Sequence, residues 1–216
     1  MGTGAQSTQD KLLDAAMRAF AEQGIENASL AEIVREAGQR NASALHYHFG
    51  NRDEVLRAIL ERHIPSLRAR RLELLEHARA QPDDDIRAVA EAMMRPVIEL
   101  ARRGWRERAY LQIGAELIGS IDRATPEVRR LLRQTAGGET LILLAERCPP
   151  MPAEVYNERA HILTAFLGRA AADRARLLDR GSRRGLALDD DQFVDNLVDM
   201  FLGALTAPVT AAVGTR

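Results

Sequence analysis

The stretch Ser29-Leu-Ala-Glu-Ile-Val-Arg-Glu-Ala-Gly38, followed after five intervening residues by Ala44-Leu-His-Tyr-His-Phe49-Gly-Asn-Arg-Asp-Glu-Val-Leu56, decides how the chain folds. Ser29 and Glu32 have the spacing of a capping box, in which the serine side chain satisfies a backbone N–H that the helix itself cannot. Leu30, Ile33, Val34 and Ala37 then share one helical face, and Gly38 closes the helix after about two turns. Asn41 stands as N-cap of a second short helix, Ala42 to His48, ended by Phe49 and Gly50. Asn51 with Glu54 repeats the capping pair and opens a further helix with Val55, Leu56, Ile59, Leu60 and His63 on one side.

Upstream, Leu12, Ala15, Ala16, Ala19 and Phe20 form the apolar stripe of a helix that Ser7 and Asp10 cap and Gly24 stops. Helices this short bury too little surface to stand alone, so they must pack on one another. A short helix, a glycine turn and a second short helix, flanked by a helix on each side, is the helix-turn-helix layout, whose second helix enters the DNA major groove.

Downstream, Pro65 either kinks its helix or separates it from one running to about Ala80, and a domain boundary is expected here, giving domains at 7–67 and 68–216. The acidic stretch Pro82 to Asp85 reads as a turn, followed by helices at about 86–102 and 107–120. Thr125-Pro126 starts another helix, Gly137 and Gly138 mark a break, a long pattern runs from Pro152 to about Arg180, and Asp189 to Asp191 open the last helix. No sustained alternation or hairpin turn signals a strand, so an all-α fold is expected.

The composition fits: 46% hydrophobic, 28% charged and only 4% aromatic residues, biased toward Ala, Leu and Arg. No apolar run is long enough to span a bilayer and Met1 to Asp10 is polar, which points to a cytoplasmic protein. Cys148 is a single cysteine and cannot form an internal disulfide. No P-loop, nucleophile elbow, HExxH or dinucleotide fingerprint occurs, so neither catalytic residues nor a cofactor are expected. His46 and His48 stand two apart, on different sides of a helix, and do not make a metal pair. A helical lipid-binding or scaffold protein is compatible with the C-terminal region alone.

The net charge of -1 gives no sign of a polyanionic partner. Residues 7–62 hold seven Lys or Arg and nine Asp or Glu, yet no acid lies between Glu36 and Asp53. That window contains Arg40, His46, His48 and Arg52 and coincides with the second helix of the pair, so phosphates are tolerated there and repelled elsewhere.

The two quoted strings closely resemble the N-terminal domain of the TetR family of bacterial transcriptional regulators, over about residues 8–67, with the helix-turn-helix at about 30–49. The resemblance is carried by the aromatic-His-Phe end of the recognition helix together with the Asn-Arg start of the next helix. It implies that Ala42, Ser43 and Ala44 face base edges, and that His46, Tyr47 and His48 reach phosphates. It also implies phosphate contacts from Arg52, from Ser29 and Leu30 at the start of their helix, and from Arg40 and Asn41 beside the recognition helix. Leu45 and Phe49 read as core, and the run Arg68, Arg70, Arg71 as a solvated face. The chain departs from the family pattern by one extra residue near Gln39 and Arg40, and by Ala31 where many relatives carry a basic residue.

Toward the C-terminus, a pair of helices is apolar on more than one side. Leu163, Phe166, Leu167, Ala170 and Ala171 mark one of them; Phe193, Val194, Leu197, Val198, Met200, Phe201, Leu202 and Leu205 mark the other. The resemblance implies a homodimer made by these helices, with Leu163, Leu167, Ala170, Val194, Val198, Phe201, Leu202 and Leu205 at the interface. It further implies a repressor that reads palindromic double-stranded operator DNA and is released by an apolar small-molecule effector. Met93, Met94, Trp105, Tyr110, Glu116, His161 and Phe166 are the expected pocket residues.

Overall fold

Helix caps in the computed structural model, which describes residues 7–41, 43–181 and 187–210, fall largely where the sequence places them. Ser7 accepts from Asp10 N–H and opens α1 (Thr8–Gln23); Gly24, at φ +89°, ends it in a conformation that favours glycine. Ser29 accepts from Glu32 N–H and opens α2 (Leu30–Glu36), and α3 (Ala44–Phe49) follows. Asn51 accepts from Glu54 N–H and opens α4 (Arg52–Arg79). The remaining helices are α5 (Ile86–Ala101), α6 (Trp105–Gly119), α7 (Pro126–Arg133), α8 (Gly137–Arg147), α9 (Ala153–Asp179) and α10 (Asp190–Leu205), with a 3₁₀ turn at Ile121–Arg123. Among the described residues there is no strand, and the fold is all-α.

Two expectations change. Asn41 does not cap a helix beginning at residue 42; its side chain accepts from Ser43 N–H at 2.9 Å in an Asx turn, and the helix begins at Ala44. Pro65 does not separate two helices. It sits exposed on the outer side of α4, which runs unbroken for 28 residues through the boundary expected at residue 67. Proline removes one backbone bond, to the carbonyl four residues earlier, and on an outer face water can replace it.

Two apolar clusters hold the protein together. The first joins α1, α2, α3 and the first half of α4, around Phe20, Ile33, Leu45 and Ile59, and continues into α6 through Tyr110 and Ile113. The second joins the rest of α4 to α5, α8, α9 and α10, around Leu75, Leu144 and Phe201. Helix α6 packs along α9, α5 lies between α4 and α10, and α1 rests on α6. The helix-turn-helix unit is therefore not an independent bead. Its core is continuous with the larger helical body through α4 and α6.

Candidate DNA-binding surface and internal cavity

Helix α3 is short because its inner face carries only Ala44 and Leu45, both buried, with Phe49 half-buried behind them. His46 and Tyr47 point outward, and His48 is half-buried. Tyr47 is 84% exposed, an unusual position for a large aromatic side chain, and its ring meets His48 edge-on with centroids 5.1 Å apart. Ser43, His46, Arg40 and Asn41 are exposed beside it. His46 Nδ1 donates to the carbonyl of Gly50, which fixes the proton on Nδ1 and closes the end of the helix. Ser29 and Leu30 are half-buried at the start of α2, with Leu30 packed on the core. Ala42 lies outside the described residues. Ala44 does not face outward as the resemblance implies; it packs into the core, leaving Ser43 as the described small residue on the outer side.

Arg52 also differs from expectation. Its guanidinium donates to the carbonyls of Ile25 and Ala28, the latter at 2.9 Å, and lies 5.8 Å over the Phe20 ring. The carbonyls in the turn between α1 and α2 have no helical partners there, and the fork of donors on Arg52 supplies them. This residue ties the turn to α4 from within the fold.

The turn is also held by the larger helical body. Glu116, on α6, accepts the Ile25 N–H with both carboxylate oxygens. Arg106 and Asp14 form a two-pronged pair at 2.7 and 2.6 Å between α6 and α1, and Trp105 lies between the guanidinium groups of Arg18 and Arg106 at 4.2 and 4.9 Å from its ring. Farther along, His63 of α4 stacks on Tyr110 of α6 with centroids 5.0 Å apart. Burial lowers the His63 pKa, and its Nε2 has no hydrogen-bond partner in this packing.

Between α4, α5, α6, α7 and α9 lies a cavity of about 460 Å³. Its walls are chiefly aliphatic, and they include Met93, Met94, Tyr110 and His161 from the sequence-based set. Trp105, Glu116 and Phe166 are not among the lining residues: the first two belong to the joint with α1, and Phe166 is exposed on α9. Sequence reasoning missed Arg71, Arg129 and Arg133, which also line it. Arg71 does not belong to a solvated face, being 4% exposed, and burial brings its pKa down to about 10. The signal was present in the spacing: Leu60, Ile64, Leu67, Arg71, Leu75 and Ala78 follow one another by three or four residues along the buried side of α4. Burial likewise pushes the Tyr110 hydroxyl up to about 12, so it is a neutral donor or acceptor at the cavity wall.

The outer face of α9 and α10 also differs from expectation. Val194, Val198, Phe201, Leu205 and Leu163 are buried within the protein's own core, where α10 meets α5 and α9, so they are not open to a second subunit. Leu167, Ala170 and Leu202 are half-buried against the same cluster, and Leu167 also lines the cavity. The apolar side chains that remain exposed are Ile162 and Phe166 on α9 and Met200 on α10. No helix among the described residues is long and apolar enough to cross a membrane, and no group of His, Cys, Asp or Glu among them could hold a metal ion.

An exposed recognition helix joined through one long helix to a helical body with an internal cavity defines a helix-turn-helix regulator with an appended helical domain. Residues 12–59 match the family described as bacterial regulatory proteins, tetR family. The HTH-type transcriptional regulator SrpR of Pseudomonas putida is 39% identical over 56 residues, which span 26% of either chain. AcrR of Shigella flexneri, also an HTH-type transcriptional regulator, is 26% identical over 163 residues, or 74% of each chain. Among solved structures, the TetR family transcriptional regulator PfmR from Thermus thermophilus superposes with a TM-score of 0.52 at 20% identity, covering 95% of this chain and 99% of its own. The N-terminal region of this chain is thus a helix-turn-helix domain of the TetR family of transcriptional regulators.

Proposed function

We propose that the protein is a cytoplasmic repressor that binds a palindromic operator as a homodimer and is released when a small molecule fills the internal cavity. The observation that carries this reading is the continuity of α4. At its start Arg52 grips the turn before α2, and about five turns later Leu67 and Arg71 line the cavity. These ends lie about 28 Å apart along a helix with no break, so a ligand that displaces one end moves the other. A ligand shifts DNA binding only by binding the released arrangement better than the DNA-bound one, and the cavity gives it a place to do so.

On the DNA side, Ser43 is the exposed small residue for base edges, while Tyr47, His46, His48 and Arg40 surround it for phosphates. The acid-free window supports this, because it is the one region of a slightly acidic domain that does not repel a polyanion. Ile162, Phe166 and Met200 form the exposed apolar ground on which a second copy packs, in place of the buried residues expected from the sequence. Two recognition helices on such a dimer read half-sites about 34–36 Å apart.

The test is binding of the purified protein to palindromic duplexes from the DNA upstream of its own gene, with scrambled duplexes as control and a salt series. Tight binding to one palindrome, two chains per site and affinity falling steeply with salt are expected. Equal affinity for the scrambled duplex would exclude the operator reading.

A further inference from the structure

The internal cavity contains a buried cation that the protein leaves without a counterion. Arg71 Nη1 donates to the Thr135 carbonyl at 2.6 Å and Nη2 to the Met93 carbonyl at 3.2 Å, while Nε is buried without a partner among the described residues. Two neutral carbonyls satisfy donors but do not neutralise charge. The other deeply buried guanidiniums are treated differently: Arg174 pairs with Asp190, and Arg147 lies 3.9 Å from Asp83. The carboxylate that acts on Arg71 through space is Glu139, and it is already engaged by Arg68 at 3.2 Å. Around the same cavity stand Arg129, Arg133 and His161, and its described lining includes no aspartate or glutamate.

Resting on the reading of this cavity as the effector site, we propose that its ligand is an amphipathic carboxylate, an apolar body with one carboxylate that pairs with Arg71. An apolar body matches the aliphatic walls, which a nucleotide or sugar phosphate does not. A cationic ligand meets three arginines and no acid. A neutral one fills the space but leaves the guanidinium uncompensated, whereas a carboxylate beside it supplies the missing charge in a water-poor setting where charge-assisted bonds are strongest. The depressed pKa of Arg71 agrees, since it reports the cost of burying this charge unpaired.

The test uses the full chain and matched probes: decanoate against decanol for an aliphatic body, and naphthoate against naphthylmethanol for an aromatic one, each titrated by calorimetry. At least one acid is expected to bind roughly tenfold or more tighter than its alcohol, the range of a charge-assisted bond made in a buried site. The acid that shows the preference identifies a chain or a ring as the body. Arg71→Met, which keeps the volume with an uncharged flexible side chain, is expected to bring the acid down to the affinity of its alcohol. Should that variant not fold, Arg71→Lys is expected to shrink the ratio, because it keeps charge but loses the fork. The proposal is overturned if the acids bind no tighter than the alcohols in the wild type, if none of the four binds, or if the preference survives both substitutions. Operator binding measured on the same protein keeps the two readings apart: intact operator binding with no acid preference removes this proposal alone, whereas failure on every palindrome removes the regulatory reading.

Discussion

Both carboxylate oxygens of Glu116 accept the backbone N–H of Ile25, at 3.0 and 3.2 Å, across 91 residues of sequence. The carbonyl of the same Ile25 is held by Arg52. One residue in the turn before α2 is thus gripped on its N–H side by α6 and on its carbonyl side by α4.

Glu116→Ala removes the first of these grips and is expected to lower stability by about 1 kcal/mol, a shift of roughly 2–4 °C in a chain of this size. The size is modest because Glu116 is itself partly in water. Thermal denaturation of the two proteins side by side checks it, and an unchanged midpoint contradicts a structural role for the contact.

Arg52→Ala has a larger expected effect, about 2–4 kcal/mol, because two carbonyls lose a charged donor at once. Loss of DNA binding in this variant should therefore accompany loss of folded protein. Arg52→Lys should not restore stability, since a single ammonium cannot span both carbonyls. A fully stable Arg52→Ala protein with weakened DNA binding would return the residue to the phosphate-contact role.

Tyr47→Ala should behave in the opposite way. An 84% exposed ring contributes little to the fold, so the variant should match the wild type to within about 0.5 kcal/mol of stability. Affinity should fall for operator and scrambled DNA alike, as measured by anisotropy, while Ser43→Ala should instead alter the preference between operators.

His63 confers a pH dependence of stability. Burial holds its folded-state pKa below the ordinary 6.5, a direction to which Arg62 and Arg106 add and which Glu107 opposes. The unfolded chain therefore takes up a proton first as pH falls. Stability is full above about pH 6.5 and declines as the pH drops below it, until the folded form is protonated too. His63→Phe keeps a ring against Tyr110 and should flatten this region of the stability–pH curve in chemical denaturation.

The two faces of α10 can be told apart by mutation. Met200→Asp, on the exposed face, should leave the helical fold intact and yield a monomeric mass in sedimentation at micromolar concentration. Val194→Asp buries a charge in the second core cluster and should unfold the protein, because a buried unpaired carboxylate costs several kcal/mol. A Met200→Asp protein that still sediments as a dimer places the interface elsewhere.

Taken alone, the sequence determined the features that are local. Ser7, Ser29, Asn51, Thr125 and Asp189 each mark a helix start because capping involves residues three apart, and the order of short helices around Gly38 made the helix-turn-helix legible. The outward role of Tyr47 rested on the family resemblance alone, and its exposure is seen only in the fold. The tertiary structure decided what lies opposite each face. Periodicity shows that a side of a helix is covered, but not whether its own chain or a second subunit covers it, so Val194 and Phe201 were read outward when α5 and α9 already enclose them. It also treats an arginine as a solvent residue. Only the packing of α5, α7 and α9 around α4 puts Arg71 in the dark with two carbonyls and no acid, and only the packing of α4 on α1 puts Arg52 under the turn instead of on the phosphate that the family likeness implied.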